Sequence, residues 1–183
     1  LIFIEEPEAH LHPQMQEVFI NQLNAAIKKL SSAYPTEDIW NVQFIITTHS
    51  SHVANAACFD AVRYFYNSKD TDKNFRKTKV KDFKKGLETI SDLDKEFLHQ
   101  YMTLTKCDLY FADKVIIVEG TTERLLMPRL RELVDKSLPE SQKLASQYLT
   151  CVEVGGAHAH IFYPLLDFLE LKTLVITDLD STK

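Results

Sequence analysis

VIIVEGTTE, residues 115–123, decides the fold. Val115 to Val118 are apolar without alternation, the pattern of a strand covered on both faces in a parallel sheet. Glu119 and Gly120 stop the run, with Gly120 permitting a tight turn. A helix is predicted from about 122 to 136, which puts Glu123 in its first turn. Downstream, TCVEV (150–154) is a second strand broken by Gly155-Gly156, a helix spans about 160–170, and TLVIT (173–177) is a third strand ended by Asp178.

The upstream half repeats the alternation. LIFI (1–4) is a buried parallel strand ending at Glu5-Glu6-Pro7. Pro13 suits the first position of a helix, and Phe19, Leu23, Ala26, Ile27 and Leu30 follow at helical spacing, so the helix runs to about 31. Residues 34–41 form a polar connection. VQFIITT (42–48) is the next buried strand, ending at His49-Ser50-Ser51-His52. VRYFYN (62–67) pairs with KTKVKDF (77–83) across the polar stretch 68–76, and residues 88–106 read as a helix. Strands alternating with helices imply an α/β chain with parallel sheets. Its natural boundary lies near residues 106–113, where a long helix ends and a new alternation begins.

The 183 residues suffice for one ordinary domain or two small ones, and 45% hydrophobic with 26% charged residues is a globular composition. No apolar run approaches the ~18 residues of a membrane span. Leu1 lies inside an apolar run without an initiator Met, and residues 178–183 stop in what reads as an active-site loop. Both ends are therefore expected to be truncated. Cys58, Cys107 and Cys151 lack metal-finger spacing and are expected to be buried, inert thiols in a reducing cytoplasm. The net charge of -5 argues against a general nucleic-acid binder. Its distribution is uneven: residues 61–110 hold eleven basic and eight acidic groups, while both flanks are acidic. Residues 69–85 carry Lys69, Lys73, Arg76, Lys77, Lys79, Lys81, Lys84 and Lys85 against three aspartates. They read either as a solvated hairpin surface or as a DNA-backbone contact.

Carboxylates carry the chemistry of the C-terminal half. Glu119 and Glu123, four apart, can point to one side. Asp178 and Asp180, two apart at a strand end, can share a side while Leu179 turns away. Two strand ends of one sheet thus bring four carboxylates to one edge. Such a cluster repels itself without cations, and its oxygen ligands suit Mg²⁺ or Mn²⁺. Two divalent ions about 3.5–4 Å apart are the usual arrangement for phosphodiester hydrolysis. The ordinary alternatives are a helix N-terminal acid for Glu123 and turn acids for Asp178 and Asp180.

The N-terminal half carries a different pattern. An apolar strand ending in two acids, here Glu5 and Glu6, is the Walker B arrangement. The first acid orients a magnesium-bound water and the second polarises the water that attacks the γ-phosphate. Ligands of parallel sheets sit beyond the carboxyl ends of the strands, where these acids lie. His49 ends the next strand, and alone it would read as a structural histidine. His10 and His12 have metal-like spacing, but no third ligand is visible nearby and packing or capping is the preferred reading. No G-x-x-x-x-G-K-S/T phosphate loop occurs in these residues, so the chain alone is not expected to hydrolyse ATP.

EEPEAHLHPQMQ (5–16), ITTHSSH (46–52), E-G-x-x-E (119–123) and D-L-D (178–180) together resemble the OLD (overcoming lysogenization defect) nucleases, whose relatives include the anti-phage Gabija nucleases. The resemblance implies the C-terminal half of an ABC-type ATPase over residues 1–67, a basic hairpin and helical connector over 68–111, and an incomplete Toprim nuclease domain over 112–183. It implies that Glu6 is the catalytic base of ATP hydrolysis, that Glu5 joins it at the Mg-ATP site, and that His49 contacts the γ-phosphate. Glu5 departs from the Asp of most ABC ATPases. For the Toprim half it implies Glu119, Asp178 and Asp180 as catalytic metal ligands, assisted by Glu123. The implied function is ATP- and divalent-metal-dependent DNA cleavage in the cytoplasm, by a homodimer or larger homo-oligomer formed through the ATPase and without a membrane. Two other readings stay open: an ATP-driven DNA-maintenance scaffold, and another Toprim enzyme of the primase or topoisomerase class.

Overall fold

The computed structural model describes residues 1–34, 42–69, 76–105, 108–155 and 158–178. Most of the connection at 34–41, the hairpin tip, Cys107, Gly156 and Asp180 lie outside them. The described chain forms two compact units.

The first unit comprises Leu1–Lys84 with Met102–Lys106. It contains β1 (Ile2–Glu5), α1 (Pro13–Ala33), β2 (Phe44–Thr47), α2 (Ser51–Ala56), β3 (Arg63–Lys69) and β4 (Arg76–Asp82). β1 and β2 are parallel, with Glu5 opposite Thr47, so both strands deliver their carboxyl ends to one edge. Pro13 is the first residue of α1, where its missing N–H costs no helical hydrogen bond. β3 and β4 form the expected antiparallel hairpin. The expected burial of β1 does not hold: Phe3 is 70% exposed, and Leu1 and Ile2 are also exposed. Among the described residues β1 pairs with β2 alone.

The second unit comprises Lys85–Tyr101 and Cys107–Lys183. After a short turn, α3 (Phe83–Gly86), comes α4 (Asp92–Thr105), which starts four residues later than the pattern of apolar residues suggests. Ser91 sets the start: its hydroxyl accepts from the Asp94 amide at 3.1 Å, satisfying a first-turn donor. Next come β5 (Lys114–Val118), α5 (Thr121–Asp135), β6 (Leu149–Glu153), α6 (Ala159–Phe168) and β7 (Lys172–Ile176). The sheet is parallel in the order β6-β5-β7, so β5 is central. Val115 to Val118 are all buried, as the apolar run predicts. Ile116 and Val118 pack with Met127 of α5 and with Leu149 and Cys151 of β6. On α6, Phe162 is fully buried and meets the Tyr101 ring edge-on at 5.0 Å. Each such apolar side chain contributes on the order of 1.5–3 kcal/mol on burial, which makes β5 the rigid platform for whatever stands at its end.

Of the cysteines, Cys58 is exposed, contrary to expectation, because Phe59 takes the adjacent inward position. Cys151 is half-buried, and burial pushes its thiol up, leaving it protonated and unreactive. Among the described residues no helix is long and apolar enough to cross a membrane.

Candidate active sites

At the edge of the β1–β2 sheet, Glu5 closes β1 and Glu6 turns the chain. Glu6 has φ 41° and ψ 58°, a left-handed conformation that is costly for a residue with a side chain. Pro7 disfavours the right-handed helical alternative at Glu6. The Glu6 amide donates to the Thr47 carbonyl at 3.0 Å and the Thr47 hydroxyl at 3.3 Å, which fixes the turn against β2. The Glu6 carboxylate then lies 3.2 Å from His49 Nε2. The structure thus brings Glu6 and His49 together. His10 and His12 are exposed, and the His12 side chain makes no capping hydrogen bond although it precedes α1.

Two residues that the sequence reading passed over complete this edge. Glu8 accepts the His49 amide at 2.6 Å. Burial pushes the Glu8 pKa up, but the hydrogen bonds from the His49 and Glu8 amides and the nearby His49 charge outweigh it and hold the carboxyl below its usual value. Gln16, buried on α1, donates to the Leu11 carbonyl at 3.0 Å and accepts the Ser50 hydroxyl at 2.6 Å. Ser50 in turn caps α2 through the His52 amide. The His49 segment is therefore clamped from both sides by residues of the segment that follows β1. A charge-assisted hydrogen bond of this kind contributes about 1.5–3 kcal/mol. Glu8→Ala is expected to speed exchange of the His49 amide by roughly tenfold to a hundredfold, with Glu8→Gln recovering part of the protection. Unchanged exchange in Glu8→Ala, measured by NMR, would remove the clamp.

The second edge is formed by the carboxyl ends of β5, β6 and β7. Glu119 follows β5, and Asp178 lies two residues beyond β7. The Asp178 amide donates to Glu119 Oε2 at 3.0 Å, so the structure joins these two predicted residues. Glu123 Oε2 accepts the Gly120 amide at 3.0 Å, the arrangement of an acid capping the start of α5. Gly120 has φ -137°, an ordinary extended value. Its lack of a side chain matters for proximity: a Cβ there would lie 3.0 Å from the Glu123 carboxylate. Glu153, at the end of β6, was not anticipated. It accepts the Thr121 hydroxyl at 2.7 Å and pairs with Arg124 at 3.1 Å. Asp180 lies outside the described residues. Among the described residues no three His, Cys, Asp or Glu side chains converge as a cation-binding group. Glu119 and Asp178, an all-oxygen pair on adjacent strand ends, have the donor chemistry that hard divalent cations prefer.

Both halves match known families. The description "Overcoming lysogenization defect protein-like, TOPRIM domain" fits residues 110–180, and "AAA ATPase domain" fits residues 1–54. Endonuclease GajA of Bacillus cereus (strain HuB5-5) is 35% identical over 98% of this chain, and the Old nuclease of Escherichia phage P2 is 25% identical over 98% of it. The chain is homologous to OLD-type nucleases. It covers 26% and 28% of those two relatives, about a quarter of their length. The expected family and the α/β class, an ATPase segment followed by a Toprim segment, are borne out. The OLD-type Toprim match spans β5 to β7 and includes Glu119, Glu123, Glu153 and Asp178; the ATPase match includes Glu5, Glu6, Glu8 and His49.

Proposed function

We infer that the protein carrying this chain is a DNA endonuclease dependent on ATP and a divalent cation. The observation that carries the reading is the junction of Glu119 and Asp178 at adjacent strand ends of an OLD-like Toprim segment. We divide the chain as the sequence suggests: an ABC-type ATPase portion over 1–67, a connector over 68–111 and a nuclease portion over 112–183. Glu119, Glu123, Asp178 and Asp180 are the proposed ligands of Mg²⁺ or Mn²⁺. When bound, the cation supplies activation of water and stabilisation of the leaving oxygen. The chain's own contribution is placement. The Asp178 amide holds one Glu119 oxygen, leaving the other to ligate, and Thr121 and Arg124 hold the Glu153 carboxylate at the end of the neighbouring strand β6.

In the ATPase portion Glu5 and Glu6 serve the Mg-ATP site, with Glu6 as base and His49 as the γ-phosphate contact. Support for this pairing is the Glu6–His49 distance of 3.2 Å. ATPases of this class place nucleotide between two lobes, so the protein acts as a homodimer or larger homo-oligomer. Its setting is the cytoplasm, and its role is defence against phage.

The test is metal removal. Supercoiled plasmid should be cut by the whole protein with Mg²⁺ or Mn²⁺, left intact when EDTA is in excess, and cut again on restoring the metal. Cutting that persists in EDTA, or no cutting with either metal under any ATP concentration, would refute the proposal.

A further inference from the structure

We propose that Gln16 is a positioning residue of the ATP site: by tying the segment that leaves β1 to the segment that leaves β2, its side-chain amide sets His49 for contact with a nucleotide's terminal phosphate. This rests on the reading of His49 as the γ-phosphate contact and adds what holds that contact in place.

Gln16 lies in the first turn of α1 and is only 6% exposed. Burying an amide costs free energy unless both of its ends find partners. Here both do. Nε2 donates to the Leu11 carbonyl at 3.0 Å, and Oε1 accepts the Ser50 hydroxyl at 2.6 Å. Leu11 lies between the Glu6 turn and α1, and Ser50 directly follows His49. One side chain thus grips the two segments that present Glu6 and His49. The bonds also fix direction. Having given its proton to Gln16, the Ser50 oxygen accepts the His52 amide at 3.2 Å and starts α2, while the Ser50 amide donates to Thr48 Oγ1 at 3.0 Å. A reversed Gln16 amide would set its oxygen against the Leu11 carbonyl, acceptor against acceptor.

The His49 side chain is 80% exposed and that of Glu6 49%. Packing therefore holds neither tightly, and their approach to 3.2 Å depends on the backbone beneath them. At Glu6 that backbone is fixed by Thr47. At His49 it is fixed twice: Glu8 holds the His49 amide, and Gln16, through Ser50, holds the residue after it. A purely structural Gln16 would only satisfy two polar groups. That role does not require a bridge to Ser50, which is half-buried and can cap α2 whether or not its proton goes to Gln16. What the bridge adds is position, and a contact group misplaced by about 1 Å can cost on the order of 10²-fold.

The experiment measures equilibrium binding of Mg-ADP and of Mg-AMP-PNP, an ATP analogue that resists hydrolysis, by the whole protein. The ratio of the two affinities isolates what the terminal phosphate gains. Wild type is compared with His49→Ala, Gln16→Met, Ser50→Ala and the Gln16→Met/Ser50→Ala double variant. Met keeps the length and helix preference of Gln without its polar ends. His49→Ala should lower the preference for the analogue roughly tenfold, the worth of one hydrogen bond to a charged group. Gln16→Met and Ser50→Ala should each lower it at least about threefold, with ADP affinity within about twofold of wild type and the double variant no worse than the larger single loss, because both break one link. A merely structural Gln16 would weaken both nucleotides alike by depleting folded protein, and that result overturns the proposal. A wild-type preference in folded Gln16→Met also overturns it. If Gln16→Met melts below the assay temperature, Ser50→Ala decides by the same criterion. Failure of the wider reading looks different: His49→Ala then keeps the wild-type preference, or wild type binds neither nucleotide, and the proposal falls with it. A lowered preference in His49→Ala but not in Gln16→Met sinks the positioning role alone.

Discussion

Asp178→Ala in the whole protein is expected to lower metal-dependent DNA cleavage at least about a hundredfold, and Glu119→Ala to do the same. The two carboxylates come from different strand ends, yet the Asp178 amide reaches Glu119 Oε2 at 3.0 Å, the contact on which the proposed shared centre rests. Lewis-acid stabilisation contributes several kcal/mol to such reactions. A loss of about 3 kcal/mol is already two powers of ten in rate. Folding should survive. The Asp178 side chain is exposed, and Ala keeps the amide that bonds Glu119. Surface changes of this kind fall within about 0.5 kcal/mol, and removing one acid from an anionic edge relieves repulsion when no cation is bound. Plasmid cleavage and thermal melting, read together, distinguish a catalytic site from a structural one. Wild-type cutting by both variants would leave the ATP-driven scaffold as the better account.

The sequence foretold the second unit better than the first, for a physical reason. An unbroken apolar run such as Val115–Val118 demands cover on both faces, and in the central strand β5 all four residues are buried. The run Leu1–Ile4 makes the same demand, but β1 pairs with β2 alone among the described residues and stays exposed. Candidate site residues followed a similar rule. Acids at the tips of apolar strands, Glu6, Glu119 and Asp178, stand out as candidates because the strand fixes where they lie. Glu8 and Glu153 were not legible, because their roles depend on partners distant in sequence: the His49 amide for one, Thr121 and Arg124 for the other. A hint existed for Glu153, which ends its strand as Glu119 follows β5; its neighbour Val154 masked the strand's end. Nor could the pattern say that Glu6 would adopt φ 41°. Pro7 restricts the position, but the choice of the left-handed basin is made by the Thr47 carbonyl and hydroxyl.

Glu6→Gln is expected to cut ATP turnover by the whole protein by a factor of about 10²–10⁴, the range of a general base, while bound ATP is retained. The strained turn at Glu6 holds its carboxylate 3.2 Å from His49 Nε2, beyond the carboxyl ends of two parallel strands. That is where a nucleotide's terminal phosphate is met in parallel sheets. Gln preserves the shape and can still hydrogen-bond His49, but it has no negative charge with which to polarise a water. Nucleotide should therefore enter, bind and remain unhydrolysed. Loss of fold is not the expected cause, because both side chains of the pair are largely exposed and such ion pairs contribute at most about 1 kcal/mol. Phosphate release measures turnover, and the ATP that co-elutes in gel filtration measures retention. His49→Ala provides the contrast: it leaves the proposed base in place but removes the proposed γ-phosphate contact, so both retention and turnover should drop. If Glu6→Gln hydrolyses ATP at the wild-type rate, the base lies elsewhere, and the Glu6–His49 pair is a structural feature of the turn.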